Sequence, residues 1–182
     1  MRLKIEKKRN GEKRLEESMS IAVDSKETRQ EDRLAGKYLS FFLSEEEYGI
    51  EILRVREIIG MVDVTPLPRT PPHVKGVINL RGKIIPVVDL RMAFGMAASD
   101  YTSETCIVVV DSERDGTSAQ IGCIVDKVSE VVDVRLDQCA EPPRCANAAG
   151  DYVAGLGKLK ERVLILLDID KVIASIEGFR DI

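Results

Sequence analysis

The sequence predicts a mainly β protein: two small barrels built from an internal repeat, with short helices that include one at the C-terminus. Three observations carry that reading. Short apolar runs recur from Tyr38 to Leu167, some alternating apolar with polar residues at the period of an extended chain. Turn formers separate them: the chain holds 13 Gly and 7 Pro, and Pro66, Pro68, Pro71 and Pro72 fall in the single stretch TPLPRTPP. The chain also aligns with itself. With Gly49 placed on Gly122, Ile52 falls on Val125, Arg54 on Lys127, Val55 on Val128, Glu57 on Glu130, Ile58 on Val131 and Ile59 on Val132. With Gly76 on Gly155, Leu80 falls on Leu159, Lys83 on Arg162, Ile84 on Val163, Asp89 on Asp168 and Leu90 on Ile169. Closing each copy into a barrel removes the strand edges that would otherwise aggregate, and two barrels side by side suggest a groove between them for a partner element.

In chain order, residues 1–36 hold mostly Lys, Arg, Glu, Asp and Ser, with scattered Leu, Ile and Met and no aromatic residue. Such a segment buries too little apolar surface to offset its ordering entropy, so it reads as a disordered tail or a weak helix around Arg14–Met19. Residues 37–182 read as the folded part, two interleaved barrels with the boundary between repeats at about 95–104. Tyr38–Leu43 is an aromatic-rich apolar run, Ser44–Glu47 is polar, and Tyr48, Ile50 and Ile52 share one face of Tyr48–Leu53. That is a hairpin with an acidic turn. Glu57–Val62 predicts a third strand. The prolines of Thr65–Pro72 impose an extended connector, and Pro72 is placed to open a short helix over His73–Gly76. Lys83–Val88 is a strand whose Pro86 points to an edge or bulge, and Leu90–Phe94 makes one or two helical turns ending near Gly95. In the second half, Thr105–Val110, Ala119–Val125, Val128–Val134 and Arg162–Leu167 read as strands. Asp111–Ser118 and Glu141–Gly150 read as loops, Gly155–Gly157 as a turn, and Asp168–Ser175 as a helix with Asp168 or Asp170 near its N-cap.

Composition excludes several classes. A formal net charge of −4 argues against wrapping a phosphate backbone, whose affinity comes largely from a basic surface. A single-strand nucleic-acid binder needs a basic groove with exposed aromatics, and only Tyr101 and Tyr152 fall in loops. No segment approaches the roughly 20 apolar residues of a membrane-spanning helix. The opening MRLKIEKKRNGEKRLEES lacks the apolar core of a secretory signal, which points to the cytoplasm. Cys106, Cys123, Cys139 and Cys145 form no C-x-x-C pair, and the single His73 stands far from them, so no zinc site is spelled out. Cys106 and Cys123 lie in apolar runs and read as small core residues.

Two stretches stand out. Asn79-Leu80-Arg81-Gly82 reads as a turn in which Asn and Gly supply the geometry. Arg81 is then either a solvated charge or a planar donor fork held toward a partner carboxylate or carbonyl. Val55 and Glu57 form a second patch near a barrel rim. Asp89 and its repeat mate Asp168 each follow a strand, where catalytic carboxylates often sit. A helix N-cap used twice is the simpler account, and the enzymatic alternative would pair Asp89 or Asp168 with His73. No complete catalytic constellation, Walker loop, dinucleotide fingerprint or other cofactor motif accompanies them.

The stretches FFLSEEEYGIEILRVREIIG, PLPRTPPHVKGVINLRGKIIPVVDLRMAFG, CIVVVDSERDGTSAQIGCIVDKVSEVVDV and YVAGLGKLKERVLILLDIDKVI together resemble the CheW family of chemotaxis coupling proteins. The middle block, with its G-V-x-N-L-R-G-x-x-x-P-V-x-D-L core, is the most specific. The resemblance implies two SH3-like five-stranded β-barrels, no enzymatic activity and no cofactor. It implies as partners the regulatory domain of the histidine kinase CheA and the cytoplasmic tip of a methyl-accepting chemotaxis protein. It further implies a cytoplasmic location, with recruitment to membrane-associated receptor arrays. The positions matching family interaction sites are Val55, Glu57, Gly76, Asn79, Arg81, Gly82 and Asp89. No receiver domain follows the barrels and no ATP-binding kinase domain precedes them, so a CheV-type protein and CheA itself are disfavoured.

Overall fold

The structure, a computed structural model, describes residues 34–114, 117–142 and 152–176. Residues 1–33 of the expected tail, the Arg14–Met19 helix and Cys145 lie outside the described residues, as does most of the Glu141–Gly150 loop. Among the described residues these elements follow one another: β1 (Gly36–Leu43), β2 (Glu46–Glu51), β3 (Val55–Gly60), β4 (Val74–Leu80), β5 (Lys83–Asp89), α1 (Leu90–Ala93), β6 (Cys106–Arg114), β7 (Thr117–Val125), β8 (Lys127–Val134), β9 (Cys139–Ala140), β10 (Val153–Leu159), β11 (Arg162–Leu167) and α2 (Ile169–Ser175). Three-residue 3₁₀ turns occupy Ile52–Arg54 and Leu136–Gln138.

The strands form two sheets, ordered β8-β1-β2-β11-β10-β9 and β3-β6-β7-β5-β4. Neither sheet is built from one half of the chain. The hairpin β1–β2 of the first repeat completes the sheet made by β8–β11, and the hairpin β6–β7 of the second completes the sheet made by β3–β5. Each inserted hairpin joins by a short parallel pairing. Gly49 of β2 lies opposite Leu166, and Gly122 of β7 lies opposite Val87. These are matching positions in the two repeats, so the self-alignment describes three-dimensional structure.

Apolar burial follows from the exchange. Ile107 and Val109 of β6 face Ile78, Ile85, Val87 and Ile124 inside their own sheet. The alternate residues Val108 and Val110 face Leu39, Phe41, Leu43 and Ile50 of the other sheet. A strand buried on both faces needs apolar residues at every position, which explains the unbroken run Cys106–Val110. Leu34, Tyr38, Val134, Cys139, Leu164 and Leu166 fill the other sheet, so Leu34 of the expected tail is part of the packed structure. Phe41, Tyr48, Phe94 and Tyr152 pack in series, with centroids 6.0, 5.7 and 4.7 Å apart; the first and last pairs are stacked and the middle one is tilted. Tyr152 is therefore engaged in packing, not presented as a platform for a base.

Several expectations need correction. The helix over His73–Gly76 is absent; Val74 already opens β4. Gly155 and Gly157 lie inside β10, not in a turn. β6 and β7 run to Arg114 and from Thr117, through most of the expected loop. Proline and glycine disguised β4 and β10. In both strands the pairing shifts register beside the repeat glycine, at Val74/Gly76 and at Val153/Gly155. Pro86 sits where β5 pairs with β4 alone, since pairing with β7 begins at Val87, so the edge reading holds for that half of the strand.

The register shifts mark where each ring closes. Beyond β3, Thr65 exchanges two backbone hydrogen bonds of 2.9 Å with Val77 of β4. Beyond β8, the two-residue β9 pairs with Leu156 and Gly157 of β10. Gly76 has φ +136°, and a Cβ there would lie 2.0 Å from the Thr65 carbonyl oxygen; one on Gly155 would lie 3.1 Å from the Ala140 oxygen and 2.4 Å from Leu34. Closure requires backbone to cross where a side chain would stand. Gly76→Ala is accordingly expected to cost about 3 kcal/mol or more, against about 1 kcal/mol for Gly82→Ala, whose Cβ meets open space. Urea denaturation of the two variants checks the ordering.

Candidate partner-docking site

The turn between β4 and β5 holds two residues, Arg81 and Gly82, between the paired Leu80 and Lys83. Their φ values are +52° and +84°, the left-handed conformation at both central positions that matches strand twist in a tight hairpin. Asn79 makes it possible, its Oδ1 accepting the Gly82 N–H at 2.9 Å. Arg81 is not a glycine, and holding an ordinary residue there costs about 1 kcal/mol. Its side chain extends into solvent, 80% exposed, and its Nη2 donates to Glu57 Oε2 at 2.8 Å. This contact joins the two stretches that stood apart in sequence.

Glu57 is aimed by a bulge. β3 pairs Val55 with Val110 and Glu57 with Val109, so Arg56 is the extra residue and turns out to pair with Asp111. Val55 stays half-buried against the core between the sheets. The same bulge recurs in β8 between the positions opposite Phe41 and Leu39, where the Ser40 hydroxyl accepts the Glu130 N–H.

The repeats differ here in one instructive way. In the sheet containing β8, Arg162 bridges Glu47 (3.3 Å) and Glu130 (2.5 Å) across the place where β2 and β11 diverge. The repeat shifts map Arg162, Glu47 and Glu130 onto Lys83, Gln120 and Glu57. At that second place β5 and β7 diverge around a cleft of ≈ 540 Å³ lined by Arg56, Lys83, Ile84, Asp111 and Gln120. Glu57 is thereby available to Arg81. Ile84, paired with Asn79 across the hairpin, and Ile58, next to Glu57 in β3, are 65% and 44% exposed. Sequence reasoning passed over them, because an exposed isoleucine within a strand carries no mark that separates it from a core residue.

The structure thus brings Glu57, Asn79, Arg81 and Gly82 together, leaves Val55 packed against the core between the sheets, and sets Gly76 and Asp89 apart. Gly76 is buried at the ring closure. Asp89 is buried at the far end of β5, where it accepts from Met92 N (3.2 Å) as the cap of α1. Asp168 accepts from Lys171 N (3.2 Å) in the same way on α2, so the cap is used twice. Asp89 also lies 3.8 Å from Lys75 Nζ and accepts from the Tyr101 hydroxyl at 3.4 Å. Burial pushes the Cys123 thiol up to about 12 and raises that of Cys106, as expected of inert core cysteines. Among the described residues, no three His, Cys, Asp or Glu side chains are grouped to hold a metal ion, and no helix is long and apolar enough to cross a membrane.

Comparison with known proteins places this geometry in context. The family described as CheW-like domain matches residues 37–177. The chain is 41% identical over 151 residues to a chemotaxis protein CheW from Klebsiella aerogenes, covering 80% of this chain and 89% of that one. It is 32% identical over 146 residues to a chemotaxis protein CheW from Treponema pallidum, covering 76% and 82%. Its fold matches the crystal structure of the scaffolding protein TtCheW from Thermoanaerobacter tengcongensis with a TM-score of 0.70 at 32% identity, over 80% of this chain and 96% of that one.

Two outcomes are expected. Because Arg81 is exposed, a double-mutant cycle of Arg81→Ala with Glu57→Ala should return a coupling below about 1 kcal/mol in urea denaturation. Burial first, then the Asp89 carboxylate, pushes the Tyr101 hydroxyl from 10.0 up to about 12. The folded state therefore holds that proton more tightly than the unfolded chain. The resulting stability is intact below pH 10 and is lost as pH rises toward 12. Tyr101→Phe should flatten this loss, as read from urea midpoints at about pH 9 and pH 11.

Proposed function

The chain belongs to the CheW-like domain family of chemotaxis scaffold and adaptor proteins, and on that premise we propose that it is a non-catalytic scaffold coupling methyl-accepting chemoreceptors to the histidine kinase CheA. The observation that carries this reading is the Arg81–Glu57 pair on the tight β4–β5 hairpin. An exposed pair adds little to stability. Here its cation is a non-glycine residue kept in a left-handed turn, on a hairpin that also exposes Ile84. Strain retained at an exposed turn, with apolar neighbours and a guanidinium fork, suits recognition better than folding.

In this reading the receptor tip presents helices whose apolar side chains lie in a groove, with Arg81 and Glu57 supplying polar contacts at its rim. The CheA regulatory domain docks on the barrel formed by β3–β7. The protein acts by holding both partners at once, in the cytoplasm and at membrane-associated receptor arrays. A ligand-driven change in the receptor then reaches the kinase only by favouring one arrangement of the assembly over another. Asp89 and Asp168, the carboxylates an enzymatic reading would use, serve as helix caps.

The test is recovery of kinase with receptor fragments in a pull-down. Arg81→Asp, which sets two carboxylates against each other at the exposed turn, is expected to melt within about 3 °C of the wild type and to lose at least about tenfold in ternary recovery. Recovery equal to wild type would remove the turn from the docking site.

A further inference from the structure

Along a barrel strand, alternate residues face inward. In the barrel of β3–β7, Ile107 and Val109 of β6, Ile124 of β7, and Ile85 and Val87 of β5 fill the interior. The next inward positions on these strands are Asp111, Gln120 and Lys83, and all three line the cleft where β5 and β7 diverge. The matching rows of the other barrel end in Phe42, Glu47 and Arg162; Phe42 pairs with Glu47 as Asp111 pairs with Gln120. There the chain supplies its own counter-charge. Glu47 is buried, and Arg162 spans Glu47 and Glu130. At the cleft that supply is missing. The stretch Glu45-Glu46-Glu47 is matched by Ser118-Ala119-Gln120, so three carboxylates give way to neutral side chains. The cation is kept, as Lys83.

The carboxylates that remain are already used. Asp111 holds Arg56 through Oδ2, and its Oδ1 accepts from Gln120 Nε2 at 3.3 Å. Glu57, the mate of Glu130, goes to Arg81. Glu113 stands opposite Ser118 in the β6–β7 pairing and does not line the cleft. Among the described residues, the Lys83 ammonium has no ion-pair or hydrogen-bond partner. Arg56 engages Asp111 through Nε, which leaves its two Nη groups as donors on an exposed side chain. The cleft, ≈ 540 Å³ in volume, thus has donors and positive charge to spare and lacks an anionic acceptor. Ile84, 65% exposed, lines it as well, and Arg81 lies on the same hairpin. We infer that this cleft takes a carboxylate side chain, an Asp or Glu of the docked kinase, held between Lys83 and Arg56 while the partner's surface covers Ile84. The inference rests on the adaptor reading and names what the kinase must bring to it. A free small anion would leave Ile84 in water, whereas a protein surface excludes water from the pair and strengthens it.

Calorimetric titration of the full chain with full-length CheA tests this. Lys83 is exposed, so Lys83→Glu is expected to melt within about 3 °C of the wild type while binding CheA at least about tenfold more weakly. Gln120→Glu gives the cleft a carboxylate of its own, as Glu47 does in the other barrel, and is expected to weaken binding at least about fivefold. One Asp→Lys or Glu→Lys substitution in the CheA regulatory domain should restore binding to Lys83→Glu. Wild-type affinity in Lys83→Glu, or failure of every such substitution to restore it, overturns the carboxylate site and leaves the adaptor reading standing. A wild-type chain that binds no CheA overturns both.

Discussion

Most of this structure depends on the exchange of hairpins between repeats. β1–β2 and β6–β7 each leave their own repeat to complete the other's sheet, and each pays no edge penalty because it is paired on both sides. The exchange places Leu39, Phe41, Leu43 and Ile50 against Val108, Val110, Ile121 and Cys123, in a core between the sheets that neither repeat could form alone. Truncating a residue such as Phe41 costs about 3–5 kcal/mol, several times the worth of any exposed ion pair here. Apolar burial between the repeats therefore supplies the cohesion.

The closures and the docking turn follow from that frame. With the hairpins committed elsewhere, each ring closes through the segment after its third strand, Thr65 in one case and β9 in the other. Gly76 and Gly155 stand where those segments cross. The β4–β5 turn is thus carried on a strand pair fixed by the closure on one side and by β7 on the other. Arg81 sits on a rigid support although its own side chain is exposed. The two repeats then diverge in their contacts. Arg162 ties up Glu47 and Glu130 in one sheet, while the matching place in the other leaves a cleft and gives Glu57 to Arg81.

Much of the fold was legible in the residues. The period-two runs and the self-alignment located most strands, the repeat and both helix caps, because alternation and capping are local chemistry. β4 and β10 were missed because their glycines serve a crossing by distant backbone, and local pattern shows only the missing side chains. The N-L-R-G turn and the Val55–Glu57 patch were visible as separate stretches. Their contact was not, since Glu57 and Arg81 lie 24 positions apart. Gly76 and Asp89 matched the family pattern without standing at the exposed site, which separates residues needed for the shape from residues presented on it.

What the sequence by itself determined is the class of the fold, its duplication, the tight turn at Arg81–Gly82 and membership in a family of scaffolds. Each of these is written in short-range periodicity, in turn chemistry or in motif. Tertiary structure alone decided which strands pair across repeats, why Gly76 admits no side chain, and which carboxylate Arg81 meets. These depend on contacts between residues far apart in the chain, which exist only once both repeats have come together.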